Sequence, residues 1–237
     1  MDKRALRLDK SLGRLQGNLI NRFSCDADTR FFEPNQFPWV ADLESNWKII
    51  RRDLDEALLE QEQIPYFSDL SQRQSRFSGT AWKSVMFYVY GRRVDENCRR
   101  FVQTAALLQR VPGLNLAMFS ILGGHAHIPP HLGPCKGVLR YHLGLIIPVE
   151  DERCAIRVDN EVRSWKEGKS LLFDDTFEHE VWNRDPRCRA VLMLDFLRPL
   201  PPWLSAINRG IIAAAGQFKA VKDFQGNANR YARGKVQ

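Results

Sequence analysis

From Leu114 to Pro199 the chain is a series of short apolar runs: LAMFSIL, GVLRYHLGLIIP, CAIRVD, EVRSW, SLLFDD, HEVWN and RAVLMLDFLRP. Most are short for a helix, and they are rich in the β-branched and aromatic side chains that suit a pleated surface. Asp159-Asn160 and Gly168 supply turns between them. Strands at such short intervals predict a sandwich or jelly roll rather than an alternating α/β fold.

The flanking sequence has a different texture. In residues 5–20, Leu8, Leu12, Leu15 and Leu19 recur at helical spacing among Lys3, Arg4, Arg7, Lys10 and Arg14. Such a helix suits its own core, a partner or an anionic membrane, and the pattern leaves the three open. Pro38 suits a first helical turn, and Leu43, Trp47, Ile50, Leu54 and Leu58 continue the period until Pro65 ends it. The polar SDLSQRQSRFSGTAW then reads as a long loop, expected to be a lid over a site. KSVMFYVY predicts a strand, and residues 95–109 a helix with Phe101, Ala105 and Leu108 inward.

Beyond Pro201-Pro202, a tail helix is expected with Leu204, Ile207, Ile211, Ala214, Phe218 and Val221 on one stripe. The chain thus divides into a basic amphipathic segment (1–30), a helical flank with a first strand (31–113), a β core (114–199) and a basic helical tail (200–237).

With 237 residues, 44% of them hydrophobic, one substantial core is expected. The net charge of +7 belongs to the ends: residues 1–22 carry +4 and 200–237 carry +5, so the middle is −2. That distribution argues against a nucleic-acid partner for the central domain. Five cysteines, odd in number and without a CxxC pair, argue against a disulfide framework or a structural zinc and for a reducing compartment. No apolar run approaches the ~20 residues of a membrane span, and MDKRALRLDKSLGRL lacks the apolar core of a secretory signal. A cytoplasmic location is expected, with peripheral contact to the inner membrane surface through the basic termini left open.

All five histidines fall in two places: His125, His127, His131 and His142 in one stretch, and His179 after FDDTFE. Imidazoles brought together by neighbouring strands make iron or zinc sites. His131, stiffened by Pro129-Pro130, and His179 have the sequence separation of such a pair. His125 and His127 read as ordinary imidazoles of a Gly-rich loop that shapes a substrate entrance. Arg140 and His142 alternate with Val138 on one strand face, turning two polar heads the same way. Arg189 opens another strand, and Ser120 precedes the His-rich loop. A guanidinium fork with a nearby hydroxyl grips a carboxylate, so a dicarboxylate cosubstrate is suggested.

MFSIL, IPPHLGP, LRYHLGLIIP, WKEGKSLLFDDTFEHEVWN and RAVLMLD together resemble the aspartyl/asparaginyl β-hydroxylases, over about residues 31–199. The resemblance implies a double-stranded β-helix of the cupin-like, jelly-roll kind with flanking helices. It implies a dioxygenase using Fe(II), O2 and 2-oxoglutarate to hydroxylate an unactivated C–H bond. By position, His131 and His179 are the implied iron ligands, and Ser120, Arg140, His142 and Arg189 are implied to hold 2-oxoglutarate.

Many such oxygenases read His-x-Asp/Glu at the first ligand; here the text is His131-Leu132-Gly133, so a two-histidine iron site is expected. The aspartyl branch implies an arginine where Val138 stands. RYHLGL, CAIRVDNEVRSWKEG and the tail are also similar to the bacterial lipid A acyl hydroxylases, which carry His-x-Asp. Small-molecule, peptide and lipid substrates remain open. Two other classes stand beside the oxygenase: a non-catalytic cupin-like protein gripping a metal or dicarboxylate, and an adaptor recruited to membranes by its termini.

Overall fold

A computed structural model describes residues 3–70, 77 and 79–234, with side chains from residue 13 onward. In chain order come α1 (Lys3–Phe23), β1 (Phe31–Phe32), α2 (Pro38–Ser45), α3 (Trp47–Leu58), α4 (Phe67–Leu70), β2 (Trp82–Val89), β3 (Arg92–Arg93), α5 (Asp95–Arg100) and α6 (Val102–Leu108). The β region follows: β4 (Leu114–Leu122), β5 (Ala126–His131), β6 (Val138–Ile146), β7 (Cys154–Val158), β8 (Glu161–Ser164), β9 (Ser170–Phe173), β10 (His179–Asn183) and β11 (Arg189–Leu197). Helices α7 (Pro202–Ala215) and α8 (Lys219–Ala232) end the fold.

The strands form a seven-stranded sheet in the order β1-β9-β6-β11-β4-β2-β3, facing a four-stranded sheet in the order β5-β10-β7-β8. Pairing is nested. β4 meets β11, β5 meets β10, β6 meets β9 and β7 meets β8, all antiparallel. A long hairpin rolled in this way is the jelly roll, and the chain is a double-stranded β-helix with flanking helices.

Alternation along each strand of the large sheet divides two cores. On β6, Leu139, Tyr141, Leu143 and Leu145 face outward and join Val40, Leu43, Ile50, Leu54, Ala105 and Leu108 of the covering helices. The inward face joins Met118, Leu122, Val191, Met193 and Phe173 to Ile128, Ile156 and Val181 of the small sheet. Both faces are buried, so these strands read as nearly continuous apolar runs.

Three expected helices are each divided. Asn46 separates α2 from α3, Phe101 separates α5 from α6, and a turn at 216–218 separates α7 from α8. Phe101, with φ −108° and ψ 62°, breaks its helix to bury its own ring, 1% exposed.

The terminal stripes also pack differently from expectation. Leu15 and Ile207 are exposed, whereas Gln16, Ile20, Leu204 and Asn208 are buried. Leu8 and Leu12 lie outside the described side chains. Gln16 donates to the Asn208 side chain at 2.6 Å, and Asn208 donates to the Gly137 carbonyl at 2.8 Å. Polar complementarity between α1 and α7 thus decides which faces meet, which no hydrophobic period could indicate. Seven of the fifteen residues of the expected lid loop, 71–76 and 78, lie outside the described residues; of the others, 68–70 belong to α4, Phe77 is buried and Trp82 opens β2. All five cysteines are free thiols.

Leu54→Ala is expected to cost about 3 kcal/mol because it leaves a cavity in the outer core, whereas Leu15→Ala stays within ~0.5 kcal/mol. Urea unfolding of both variants checks this.

Candidate active site

Strand β5 contains Pro129 and Pro130, which a central strand would reject. It is tolerated because β5 is an edge strand, paired only with β10. The segment expected to be a ligand loop is therefore a strand end, and register sets His131, its last residue, opposite His179, the first of β10. The two imidazole centroids are 4.0 Å apart, with Phe77 edge-on to His131 at 4.9 Å.

Each ring is oriented by its own backbone. His131 Nδ1 lies 2.8 Å from the Pro129 carbonyl, and His179 Nδ1 lies 3.0 Å from the Phe177 carbonyl. A carbonyl only accepts, so Nδ1 carries a proton in both rings, and Nε2 is the nitrogen that would ligate a metal. Among the described residues no group of three or more His, Cys, Asp or Glu side chains gathers into a metal site.

Gly133 is required by packing. Its N–H donates to the Asp175 carbonyl at 2.7 Å, and a methyl group on it would collide with the Asp175 carboxylate. A carboxylate from another strand end thus fills the space that a side chain at 133 would take. Asp175 is buried, and burial pushes its carboxyl up to about 7 against the opposing pull of Arg140. Arg140 Nη2 approaches it to 3.0 Å as an ion pair, but without the alignment of a hydrogen bond.

Arg140 is engaged by carboxylates of the protein itself. Asp195 accepts from Nε at 2.7 Å and from Nη2 at 2.9 Å, and Nη2 also makes the Asp175 contact. The Nη1 edge takes no part in these contacts. The position of Arg140 opposite Asp195 in the β6–β11 register brings this pairing about.

His142 and Arg189 are the converse. Both are buried on the inner face, and Trp165 lies beside both, with its ring 4.5 Å from the Arg189 guanidinium and 5.9 Å from His142. Trp165 Nε1 donates to His142 Nδ1 at 3.3 Å, which leaves Nε2 as the protonated nitrogen of a neutral ring. Burial first, then the Arg189 charge, holds His142 well below its ordinary range. Burial also draws Arg189 down to about 10, so it stays cationic at neutral pH.

Among the described residues neither His142 Nε2 nor Arg189 Nε and Nη1 has a hydrogen-bond partner. These are three donors and no acceptor. Leaving such groups unpaired costs several kcal/mol, which an anionic ligand with matching oxygens offsets. Ser120 lies opposite Val191 on the same inner face and accepts from Trp82 Nε1 at 2.9 Å. Ser84, its neighbour across β2, has a buried hydroxyl without a partner.

Residues 44–199 match the family model described as Aspartyl/Asparaginyl beta-hydroxylase. The chain belongs to this family. It is 44% identical over 185 residues to an ornithine lipid ester-linked acyl 2-hydroxylase of Rhizobium tropici, covering 78% of this chain and 66% of that protein. It is 36% identical over 165 residues to the aspartyl/asparaginyl beta-hydroxylase of Homo sapiens, covering 68% of this chain and 21% of that protein. The chain thus spans somewhat less than two thirds of one relative and about a fifth of the other. A solved cupin domain of an XRE family transcriptional regulator from Enterobacter cloacae aligns over 50% of this chain and 99% of that one, at 15% identity and a TM-score of 0.35.

For this member of the hydroxylase family, His125 and His127 stand apart from the inner site. His127 lies in β5 on the outer surface, 2.8 Å from Glu180, and His125 occupies the preceding turn with φ 54°. Both line shallow surface hollows rather than a loop over the histidine pair. Sequence reasoning missed Asp175 and Trp165. The signal for Asp175 was present in the Asp174-Asp175 pair before His179, but only the fold shows which carboxylate turns toward Gly133. Asp174 instead binds Lys136 at 3.4 Å and the buried Arg198.

Two variants separate these arrangements. Arg189→Met is expected to stabilise the ligand-free protein by about 1 kcal/mol or more, by removing an unpaired buried charge, and to abolish any thermal shift produced by 2-oxoglutarate. Gly133→Asp is expected to destabilise by more than ~2 kcal/mol, because its carboxylate would meet Asp175. Chemical denaturation with and without 2-oxoglutarate reads both.

Proposed function

We propose that the chain is an Fe(II)- and 2-oxoglutarate-dependent dioxygenase that hydroxylates a C–H bond in a lipid acyl chain. The observation carrying the cosubstrate is the trio of unpaired buried donors on Arg189 and His142, the latter sharing the Phe173 ring with His179. When bound, Fe(II) and 2-oxoglutarate supply oxidation by O2, one oxygen atom entering the substrate as hydroxyl and the other leaving in succinate, with release of CO2.

The chain's own residues position and exclude. His131 and His179 present Nε2 atoms, fixed in direction by their Nδ1 bonds to backbone carbonyls. Arg189 offers two guanidinium donors and His142 an N–H, with Trp165 stacked beside both to keep water away. Ser120 adds a hydroxyl on the same face, held by Trp82. Arg140, expected to hold the cosubstrate directly, also holds Asp175 beside it. Asp175 carries a carboxyl within reach of Gly133 in place of a ligand at that position. Pre-placement of this kind is what such a site contributes, since the oxidation itself belongs to the cofactor.

The acyl assignment is supported by the similarity to a hydroxylase named for an ornithine lipid acyl chain. It is also supported by Val138, an apolar residue where the aspartyl branch implies an arginine, which removes a cation suited to an acidic substrate. A peptide substrate is the second reading, favoured by the relatedness to the human aspartyl/asparaginyl enzyme.

Anaerobic addition of Fe(II) and 2-oxoglutarate should give a metal-to-ligand charge-transfer band in the wild type. His179→Ala should lose both the band and succinate formation. A wild type that binds iron yet shows no band and no succinate points to the non-catalytic reading. Mass spectrometry of a lipid extract should find acyl species heavier by one oxygen; a shift confined to peptides would move the substrate to the second reading.

A further inference from the structure

Helix α7 packs through Leu204 and Asn208, yet its opposite face is also apolar. Trp203, Ala206, Ile207, Gly210, Ala213 and Ala214 are exposed at helical spacing. Water-facing stripes of this kind are unusual on a monomer, and scattered exposure does not produce them. Helix α1 extends the patch: Phe23 stands edge-to-face on Trp203 at 5.1 Å, and both rings are about half exposed, as is Leu15.

Within residues 13–23 and α7 the charge has one sign. Residues 13–23 and α7 contain Arg14, Arg22 and Arg209, all exposed, and no acidic residue. The Arg22 guanidinium lies 5.6 Å from the Phe23 ring, so a cation sits at the edge of the apolar surface. Aromatic and aliphatic side chains bordered by arginines match the layered chemistry of an anionic bilayer, hydrocarbon inside and phosphate outside. A protein partner would need an acidic rim around an apolar groove, whereas a bilayer offers both over any area.

The same helices hold the approach to the site. The segment from Leu132 to Gly137, directly after His131, is tied to α1 and α7 by the Cys135 thiol donating to Gln16 and by Asn208 donating to the Gly137 carbonyl. Leu132, adjoining His131, is itself exposed. The helix pair that would seat on a surface is therefore anchored, through its packed side, to the chain that carries the first histidine.

We infer that the apolar face formed by Phe23, Trp203 and Ile207, with Arg14, Arg22 and Arg209 around it, is a docking surface for an anionic phospholipid bilayer. It extends the acyl-lipid reading by giving the substrate's source, and its test requires no turnover. Full-length protein is incubated with phosphatidylcholine vesicles, with or without phosphatidylglycerol, and sedimented at low and high salt. Wild type should partition onto the phosphatidylglycerol vesicles and be released by salt. Trp203→Ser with Ile207→Ser should lower partitioning about tenfold or more, and Arg22→Glu with Arg209→Glu should lower it and flatten its salt dependence.

Unchanged melting temperatures show that these surface variants fold. His179→Ala should partition as wild type, which keeps docking separate from catalysis. Wild type remaining in the supernatant at low salt overturns the inference, as does an unaltered partition coefficient in the Trp203→Ser, Ile207→Ser variant. A dimer in analytical ultracentrifugation that this variant dissociates would reassign the face to a second copy and likewise overturn it. Partitioning without acyl hydroxylation would leave the docking face standing and reject the acyl substrate.

Discussion

Strand β11 runs between β4 and β6 along the middle of the large sheet, antiparallel to both. Its outward side chains, Ala190, Leu192, Leu194 and Phe196, pack under the helices. Its inward ones, Arg189, Val191, Met193 and Asp195, face the barrel interior beside His142 and Arg140 of β6. Because side chains alternate with period two, a one-residue slip would turn Ala190, Leu192, Leu194 and Phe196 into the interior and Arg189 and Asp195 under the helices. The outer hydrophobic core therefore enforces the register that builds the polar site.

Within that register the buried charges fall into two groups with opposite consequences. Arg140 and Asp195 satisfy one another, with Asp175 held beside Arg140 by charge alone, and Arg198 satisfies Asp174 and Asp26 near the same strand ends. Removing one member of such a network leaves a buried charge uncompensated, so the network fixes geometry more than it adds stability. Arg189 and His142 have no such compensation and rely on an aromatic neighbour that offers no acceptor. Their unpaired burial carries a cost that an anion with matched oxygens would offset. Placing paired and unpaired groups on adjacent strands lets a rigid framework hold a site that still has binding energy to release.

The terminal helices connect this site to the outside. No helix among the described residues is long and apolar enough to cross a membrane. Buried amides between α1 and α7 join Ile20 and Leu204 on the packed side, and Leu15, Phe23, Trp203 and Ile207 remain outward. A polar contact thus lies within and the apolar surface outside, and the hydrogen bonds to Cys135 and Gly137 couple the helix pair to the chain leaving His131.

Much of this was legible in the chain. The spaced apolar runs announced the strands, since alternation and turn chemistry are local, and MFSIL, RYHLGL and FDDTFEHEVW carried the family resemblance that the comparisons bear out. Helix breaks at Asn46 and Phe101 were not legible, because the apolar period runs through both positions without marking them. Neither was the use of Leu15 and Ile207 on the outside, since periodicity marks a stripe but not what covers it. Sequence by itself determined which residues alternate on each strand and that two histidines had the spacing of a metal pair. Only the tertiary structure decided that Arg140 is paired with Asp195 while Arg189 stays unpaired, and that Asp175 occupies the space beside Gly133. The reason is physical: a side chain's chemistry is set by its sequence, but its partners come from strands distant in the chain, and pairing determines whether a charge binds within the protein or waits for a ligand.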